Sequence, residues 1–339
     1  MLSFWQTLPR PIFMLSPMAG VTDSAFRQLA KKFGADVVYT EFISTAGLHF
    51  SPDAPHGRLE FTEGERPVVC QIFGSEPEFF YQAAQRIERE GFDGVDINFG
   101  CPAKKVVNSG GGITMLRDLD RSYEIIQATC EAVRNIPVSV KTRVSVGCVD
   151  DNGTKARERH TVLDLIDKIR DLPVEALILH GRPYETPFAG EPDYEMMRRA
   201  REAFNGIFIA NGGVSTPEYA RTMLERTGAD GIALARGVYG KPWLFRQIKD
   251  FLAWNAYVEP DPATICQIAL EHAEELVRLK GKERGIREMR KHLVWYTKGW
   301  DGAKELRREL VRVLTLADIQ KLLASQTERE WSFVPYSSS

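Results

Sequence analysis

The first 250 residues alternate between short apolar runs rich in β-branched residues and longer amphipathic stretches. Turn residues such as Gly, Pro and Asp bound the apolar runs, which is the pattern of buried strands. The predicted strands cover residues 12–16, 36–40, 68–72, 94–98, 138–141, 176–180, 207–210 and 231–235. Between them, apolar residues recur at helical spacing, for example over residues 24–33, 78–90, 119–134 and 217–226.

Eight strands that alternate with helices predict an α/β fold, specifically a parallel (β/α)8 TIM barrel. A doubly wound sheet is the alternative, but it normally carries G-x-G-x-x-G after its first strand, where this chain has SPMAG over residues 16–20. After about Asp250 the strand pattern stops and helical periodicity continues over residues 263–280, 285–298 and 303–324. We therefore expect a barrel domain over residues 1–250, a linker at 259–262, and a smaller C-terminal all-helical domain over residues 260–331.

Composition agrees with a chain of 339 residues that buries a sizeable core, with 43% hydrophobic and 27% charged residues. No run approaches the 18 apolar residues of a membrane span, and Pro9, Arg10 and Pro11 interrupt any N-terminal signal peptide. The five cysteines are dispersed and form no C-x-x-C pair. This pattern argues against a disulfide framework or a structural metal and favours a cytoplasmic protein without a membrane partner.

Chemically capable side chains follow most of the predicted strands, at the end of the barrel where catalytic residues of this fold gather. They are Gln71, Asn98 with Cys101, Lys141, His180 with Arg182, Asn211 with Gly213, and Ala235 with Arg236. Each has a common structural explanation, since strand ends are often solvated, lone cysteines are often buried, and glycines form turns. Their coincidence at one end of the barrel favours a functional site.

Two loops and two side chains indicate what such a site could bind. Loops after strands seven and eight of this fold often hold a phosphate; Gly213 lets backbone N–H groups approach it, and Arg236 adds a charged hydrogen bond. Lys141 could stabilise the negative charge of a reduced flavin, and Gln71 can both donate and accept, as a flavin ring requires. A Schiff-base lysine at Lys141 is an open alternative that requires desolvation of its amine.

Charge is distributed unevenly although the net charge is only −2. Residues 278–312 hold 12 Lys or Arg against 5 Asp or Glu. Arg287, Arg290 and Lys291 lie at i, i+3 and i+4 and would share one helix face. Such asymmetry is typical of a polyanion-binding surface, and a solvated helix with i,i+4 ion pairs is the equally compatible alternative.

Several of these segments together resemble the tRNA-dihydrouridine synthases. The matching segments are PMAGVTD at 17–23, DINFGCPAKK at 96–105, HGR at 180–182, NGG at 211–213, GVYGKPW at 237–243 and RKHLVWY at 290–296. The Asn-x-Gly-Cys-Pro block at 98–102 is the most specific of them. The resemblance extends from about residue 10 into the helical region.

The resemblance implies an FMN-dependent TIM-barrel oxidoreductase that reduces specific uridines of tRNA to 5,6-dihydrouridine, with NADPH or NADH as reductant. Hydride would pass from the flavin to C6, and Cys101 would give a proton to C5. By position, the FMN contacts would be Pro17, Met18, Ala19, Gln71, Lys141, His180, Asn211, Gly213, Ala235 and Arg236. The tRNA contacts would be Asn98 at the base edge, with Lys104, Lys105, Arg182, Arg287, Arg290 and Lys291 at phosphates. We expect a monomer that acts on tRNA.

Three segments depart from the family pattern. Ala235 stands where the family often has Gly, so phosphate binding there requires a negative φ. Residues 107–112 are unusually rich in glycine, which leaves the order of the Cys101 loop open, and residues 144–157 match only in part. Two alternatives stay open from the sequence: an FMN barrel oxidoreductase of the dihydroorotate dehydrogenase type that acts on a small molecule, and a non-catalytic RNA-binding paralogue without flavin.

Overall fold

The fold is a closed barrel of parallel strands followed by C-terminal helices, in a computed structural model that describes residues 3–51, 59–149, 155–186, 189–300 and 302–327. In chain order the strands are β1 Ile12–Leu15, β2 Val37–Tyr39, β3 Ile43–Ser44, β4 Val68–Phe73, β5 Gly94–Phe99, β6 Val138–Arg143, β7 Ser145–Val149, β8 Lys155–Thr161, β9 Val174–His180, β10 Ile207–Asn211 and β11 Gly231–Leu234. Pairing runs β1-β2-β4-β5-β6-β9-β10-β11 and returns to β1, so the eight-stranded barrel closes. The TIM-barrel prediction is confirmed, and each predicted strand overlaps one barrel strand.

Helices form most of the connections between the barrel strands, and after β11 the regular elements of the described residues are all helical. They are α1 Phe4–Thr7, α2 Ser24–Lys32, α3 Thr45–Phe50, α4 Pro77–Arg89, α5 Lys104–Val107, α6 Leu119–Ala132, α7 Val162–Lys168, α8 Tyr194–Ala203, α9 Pro217–Thr227, α10 Leu244–Trp254, α11 Pro262–Lys280, α12 Lys282–Tyr296, α13 Ala303–Leu310 and α14 Leu316–Thr327. Short 3-10 turns cover Glu63–Glu65, Gly112–Arg117 and Arg236–Val238. Among the described residues, no helix combines the length and apolar character that crossing a membrane requires.

Barrel strands are buried on both faces, which explains why the sequence shows continuous apolar runs rather than alternation. Along β1, Ile12 and Met14 belong to the cluster inside the barrel, while Phe13 and Leu15 pack under the surrounding helices. Trp5, on α1, is 1% exposed and packs with the inner cluster. The barrel interior is therefore filled by side chains, as is usual for this fold, which leaves the strand ends as the place for a site.

Two local elements differ from the predictions. The partly matching segment at 144–157 contributes to an antiparallel hairpin formed by β7 and β8. The helical pattern over residues 303–324 corresponds to two separate helices, α13 and α14. Thr315 and Asp318 explain the break, since the Asp318 carboxylate accepts the N–H of Thr315 while the Asp318 N–H donates to the Thr315 hydroxyl, a reciprocal cap that starts a new helix.

The C-terminal helices have a core of their own that also includes residues of the barrel. Leu276, Met289 and Leu293 pack there together with Ala25 and Leu29 of α2. The predicted linker at 259–262 overlaps the start of α11, where the Asp261 carboxylate caps the helix by accepting the N–H of Thr264, and Pro262 is the first helical residue. The boundary between residues 250 and 260 remains a prediction, and residues 328–331 of the predicted domain lie outside the described residues.

Candidate active site

A cavity of about 700 Å³ lies at the C-terminal ends of the barrel strands. The structure brings together in its wall all ten residues predicted to contact FMN, which are Pro17, Met18, Ala19, Gln71, Lys141, His180, Asn211, Gly213, Ala235 and Arg236. Asn98, Cys101 and Arg182 line the same cavity. The remaining predicted substrate residues lie elsewhere: Lys104 and Lys105 on α5, and Arg287, Arg290 and Lys291 on α12.

The cavity carries a concentrated positive charge. Lys141, Arg143, Arg182 and Arg236 all line it, and the pKa of His180 is lowered to about 2 by burial and by the repulsion of these four cations. Burial, followed by the charge of Arg143, lowers the pKa of Lys141 to about 8. A neutral His180 beside several cations is the arrangement expected of a site that binds an anion, because an anionic ligand would offset the repulsion between the cations.

Lys141 is held at a fixed position above the barrel core. Its Nζ donates to Oδ1 of Asn211 at 3.3 Å, and Nδ2 of Asn211 donates to the Ala233 carbonyl at 2.6 Å. The Asn211 amide is thereby oriented with its oxygen towards the ammonium group. This arrangement places one fixed positive charge at the base of the cavity, which suits a ring system that becomes negatively charged.

The two loops after β10 and β11 have the backbone geometry that close approach to an anion requires. Gly213 has φ +77°, and a Cβ at this position would lie 3.1 Å from the guanidinium group of Arg182. Ala235 has φ −123°, a value that any residue adopts, so alanine is compatible with the turn that leads into Arg236. The condition set for phosphate binding at Ala235 is therefore met.

The Cys101 loop is held by side chains on both sides of the cysteine. The Asn98 Oδ1 accepts the N–H groups of Gly100 and Cys101 at 3.1 and 3.0 Å, and Arg143 Nε donates to the Gly100 carbonyl at 2.8 Å. The Cys101 carbonyl accepts the N–H of Ile113 at 3.2 Å. Backbone and side-chain hydrogen bonds thus fix the orientation of the loop.

The glycine-rich segment next to this loop packs closely against neighbouring backbone. Gly112 has φ +65°, and a Cβ there would lie 2.7 Å from the carbonyl oxygen of Cys101. Gly111 packs in the same way on the backbone of Gly74, where a Cβ would lie 3.0 Å from its oxygen. Glycine allows both backbone contacts, so the unusual composition serves close packing.

The Cys101 thiol is partly buried, and burial raises its pKa above the ordinary value, with Arg143 and Lys141 opposing. The thiol is therefore protonated at neutral pH, as a proton donor requires. Asn98 has less freedom than the sequence suggests. Its oxygen accepts two backbone N–H groups and its Nδ2 donates to Gln71 at 3.0 Å, so contact with a base edge would use the second Nδ2 hydrogen.

Several residues of the cavity wall are not part of the predicted site, and the chemically most capable of them are Arg143, Tyr239, Trp295 and Lys298. Tyr239 follows β11, and its ring stacks on Trp295 of α12 with centroids 4.1 Å apart and planes at 9°. The family-like segment at 290–296 is visible in the sequence, but there it indicates only a tRNA-binding surface. A C-terminal helix therefore completes the wall of the barrel cavity.

The predicted basic surface on α12 is divided between structural and exposed residues. The Arg290 guanidinium donates to the Val313 carbonyl at 2.8 and 3.1 Å, and Lys291 Nζ donates to the Gly20 carbonyl. Arg287 is exposed, and among the described residues it forms no ion pair with Glu283, the acidic residue four positions before it on α12. Of the three residues, Arg287 is the one best placed to meet a phosphate.

Further exposed cations lie on and just after α13. Lys304, Arg308 and Arg312 are exposed, and within the described part of the chain none of their side chains forms a hydrogen bond or ion pair. By contrast, Arg284 is bound to Glu288 at 2.8 Å. Arg182, a predicted phosphate contact, is buried in the cavity wall, and its Nε donates to the Gly190 carbonyl at 2.8 Å.

Comparison with known proteins assigns this arrangement to a family. The sequence profile of the family described as dihydrouridine synthase matches residues 14–330. The tRNA-dihydrouridine synthase B of Pseudomonas aeruginosa is 36% identical over 91% of this chain and 90% of its own length, and a probable tRNA-dihydrouridine synthase 1 of Synechocystis sp. is 33% identical over 91% and 84%. Among solved structures, a morphinone reductase mutant in complex with tetrahydroNAD has a TM-score of 0.51 at 15% identity, covering 77% of this chain and 92% of its own, which supports the fold alone.

Proposed function

Because the chain belongs to the dihydrouridine synthase family, we propose that it reduces uridines of tRNA to 5,6-dihydrouridine, with FMN bound at the barrel mouth and NADPH or NADH as reductant. The observation that supports the proposal is the cation-rich cavity in which Gln71, Lys141 and His180 face the Cys101 loop. Its volume of about 700 Å³ is within the range usual for cofactor sites.

The residues present fit FMN in both of its parts. The loops at Gly213, Ala235 and Arg236 would hold the phosphate, since they combine accessible N–H groups with a guanidinium group. Gln71 and Lys141 would contact the polar edge of the ring, where each has a fixed orientation. When bound, FMN supplies the hydride that adds to C6 of the uracil ring.

Cys101 would complete the reduction by giving its thiol proton to C5. Its raised pKa keeps the proton in place until negative charge develops on the uracil ring. Neutral His180 can donate one ring N–H to a bound polar group without adding a further charge. A uridine stacked in folded tRNA would have to rotate out to reach the cavity.

The wall formed by Tyr239 and Trp295 would serve this step in a second way. The two stacked rings flank the cavity mouth and offer an aromatic surface to a flipped base or to its neighbour. Lys298, exposed beside them, brings positive charge to the same rim. The tRNA backbone would then continue towards Arg287 and the exposed cations Arg308 and Arg312.

A cysteine substitution tests the proposed mechanism. Cys101→Ala should abolish dihydrouridine formation while NADPH still bleaches the flavin absorbance, because the thiol acts after the flavin is reduced. Cys130→Ala, which removes a half-buried thiol of α6, is the matched control and should retain both activities. Dihydrouridine is measured by mass spectrometry of digested tRNA. Colourless protein that takes up no FMN, or normal product from Cys101→Ala, would overturn the proposal.

One observation favours a second chemistry strongly enough to test it. Lys141 is buried with its pKa lowered to about 8, which meets the requirement for a Schiff-base lysine. Borohydride added with a small aldehyde or ketone would reduce such an adduct and increase the mass of the peptide that contains Lys141. An unchanged peptide mass, in protein that binds FMN, would leave the lysine as a charge partner of the cofactor.

A further inference from the structure

A buried carboxylate lies directly beneath the cavity, on the strand that carries Asn98. Asp96 is 0% exposed, and each of its oxygens accepts a hydrogen bond. Ser139 Oγ donates to Oδ1 at 2.7 Å, and Gln71 Nε2 donates to Oδ2 at 2.7 Å. Tyr39 extends the network, with its hydroxyl 3.2 Å from Ser139 Oγ.

The hydrogen bonds above Asp96 form a chain with one direction. Asn98 Nδ2 donates to Gln71 Oε1 at 3.0 Å, and the Cys101 N–H donates to Asn98 Oδ1 at 3.0 Å. Every donor in the chain points towards Asp96, which stands at its end as an acceptor. A side-chain amide has a donor end and an acceptor end, so the orientation of Gln71 dictates that of Asn98.

We propose that Asp96 is a positioning residue for Cys101, acting as the terminal acceptor that orients the amides of Gln71 and Asn98. If the Gln71 amide rotated by half a turn, its NH2 group would face the NH2 group of Asn98. Asn98 would then have to rotate as well, and its oxygen would no longer accept the Cys101 N–H. The loop would lose the bonds that aim the thiol. The catalytic meaning of this relay rests on the proposed function, in which Cys101 is the proton donor.

The protonation state of Asp96 sets the conditions for a test. Burial raises its pKa to about 7, with hydrogen bonds from Ser139 and Gln71 and the charge of Lys141 opposing. Above this pH the carboxylate accepts at both oxygens. Measurements at pH 8 therefore examine the relay with the Asp96 carboxylate mainly ionised.

The experiment moves the terminal acceptor from position 96 to its neighbour in the relay at position 71. Asp96→Leu removes the terminal acceptor, so the Gln71 amide is free to turn and the relay should break. The double variant Asp96→Asn with Gln71→Glu restores the polarity, because the new amide at position 96 can donate to the new carboxylate at position 71, which still accepts from Asn98. Ser139→Ala is the matched control, since it removes the donor to the other oxygen of Asp96 and leaves the chain to Cys101 intact.

Two readouts are compared across these variants. Hydrogen exchange at the Cys101 amide, followed by NMR, reports the relay without any turnover. Single-turnover reduction of tRNA by prereduced enzyme reports the proton-transfer step. Asp96→Leu should accelerate exchange at the Cys101 amide and slow turnover by about 100-fold, the effect typical of a misplaced reacting group. The double variant should recover the protection of the Cys101 amide from exchange, and Ser139→Ala should resemble the wild type in both readouts.

The outcomes separate the relay from the proposed function. A double variant no better than Asp96→Leu in amide exchange would overturn the relay, and the loss would then come from other contacts of Asp96. Faster hydrogen exchange at the Cys101 amide without slower turnover would confirm the relay and show that Cys101 is not the proton donor. If Asp96→Leu does not fold, the double variant is compared directly with the wild type. Unprotected Cys101 exchange in the folded double variant would overturn the proposal.

Discussion

Two buried histidines predict that this protein loses stability steeply in mild acid. His272 of α11 and His292 of α12 lie with ring centroids 4.5 Å apart, next to Phe26 of α2. They are 2% and 1% exposed. His272 Nδ1 lies 3.2 Å from the Tyr296 hydroxyl, whereas the other three ring nitrogens have no hydrogen-bond partner among the described residues. Both rings are therefore held neutral at the contact between the barrel and the C-terminal helices.

The magnitude follows from proton linkage. Burial lowers the pKa of His272 to about 4 and that of His292 well below the ordinary value, with Lys280 and Lys291 adding repulsion to both and Asp23 opposing at His272. The unfolded chain takes up these protons below about pH 6.5, whereas the folded protein does not. The stabilisation is thus complete above pH 6.5 and is lost as pH falls towards the folded pKa values. Between about pH 7.5 and pH 5, each ring therefore lowers the free energy of unfolding by about 2 kcal/mol, and the two rings together lower it by about 4 kcal/mol.

Urea unfolding at about pH 7.5 and pH 5 measures the effect as a difference between proteins. In His292→Gln, the drop in unfolding free energy between the two pH values should be about 2 kcal/mol smaller than in the wild type. Phe26→Leu is the matched control, since it removes packing against the same rings without removing a titrating group, and its deficit should be equal at both pH values. An identical drop in His292→Gln and wild type would refute the reasoning.

Three further predictions concern the loop, the tRNA surface and the cofactor. Gly112→Ala should lower the unfolding free energy by about 1–3 kcal/mol, because φ is positive there and a Cβ would meet the neighbouring carbonyl. Gly190→Ala is the control with a smaller expected loss, since φ is +74° but a Cβ would meet nothing within 4 Å, and urea unfolding of both variants measures the difference. Arg287→Glu with Arg308→Glu should weaken tRNA binding and lower its log–log salt slope by roughly 0.9 per lost contact, with FMN content unchanged; an unaltered slope in filter binding would exclude this surface. Lys141→Met should weaken FMN binding, measured by flavin fluorescence during dialysis, and equal retention by the variant would remove its role as charge partner.

Much of the architecture was predictable because burial on both strand faces gives an apolar run that a sequence shows directly. The convergence of Gln71, Lys141 and His180 was predictable for a related reason, since the ends of parallel strands meet at one end of a barrel. Arg143 was not recognised as a wall residue, because a charged residue at a strand end usually projects into solvent. Its inward direction depends on the Gly100 carbonyl, which the chain brings near only after folding.

Other features depended on contacts between distant parts of the chain. Nothing local to Trp295 indicates that its ring lies against Tyr239, because that contact requires α12 to lie over the barrel mouth. Likewise, Arg290 and Lys291 resemble solvent-exposed cations in the sequence, but they donate to backbone carbonyls of other segments. The break between α13 and α14 did have a local signal, since Thr315 and Asp318 have the three-residue spacing of a reciprocal helix cap.

The stack of Tyr239 on Trp295 indicates that the barrel and the C-terminal helices evolve together. A barrel cut off before α11 would have an incomplete cavity wall, and it would expose Ala25 and Leu29, which are covered by the C-terminal helices. If the stacked rings hold the flipped base as proposed, a replacement for the C-terminal helices must supply an aromatic ring at the same place in the cavity wall. Recombination between relatives should therefore yield working chimaeras when the crossover points keep the turn after β11 and α12 from one parent, and inactive ones when they separate them.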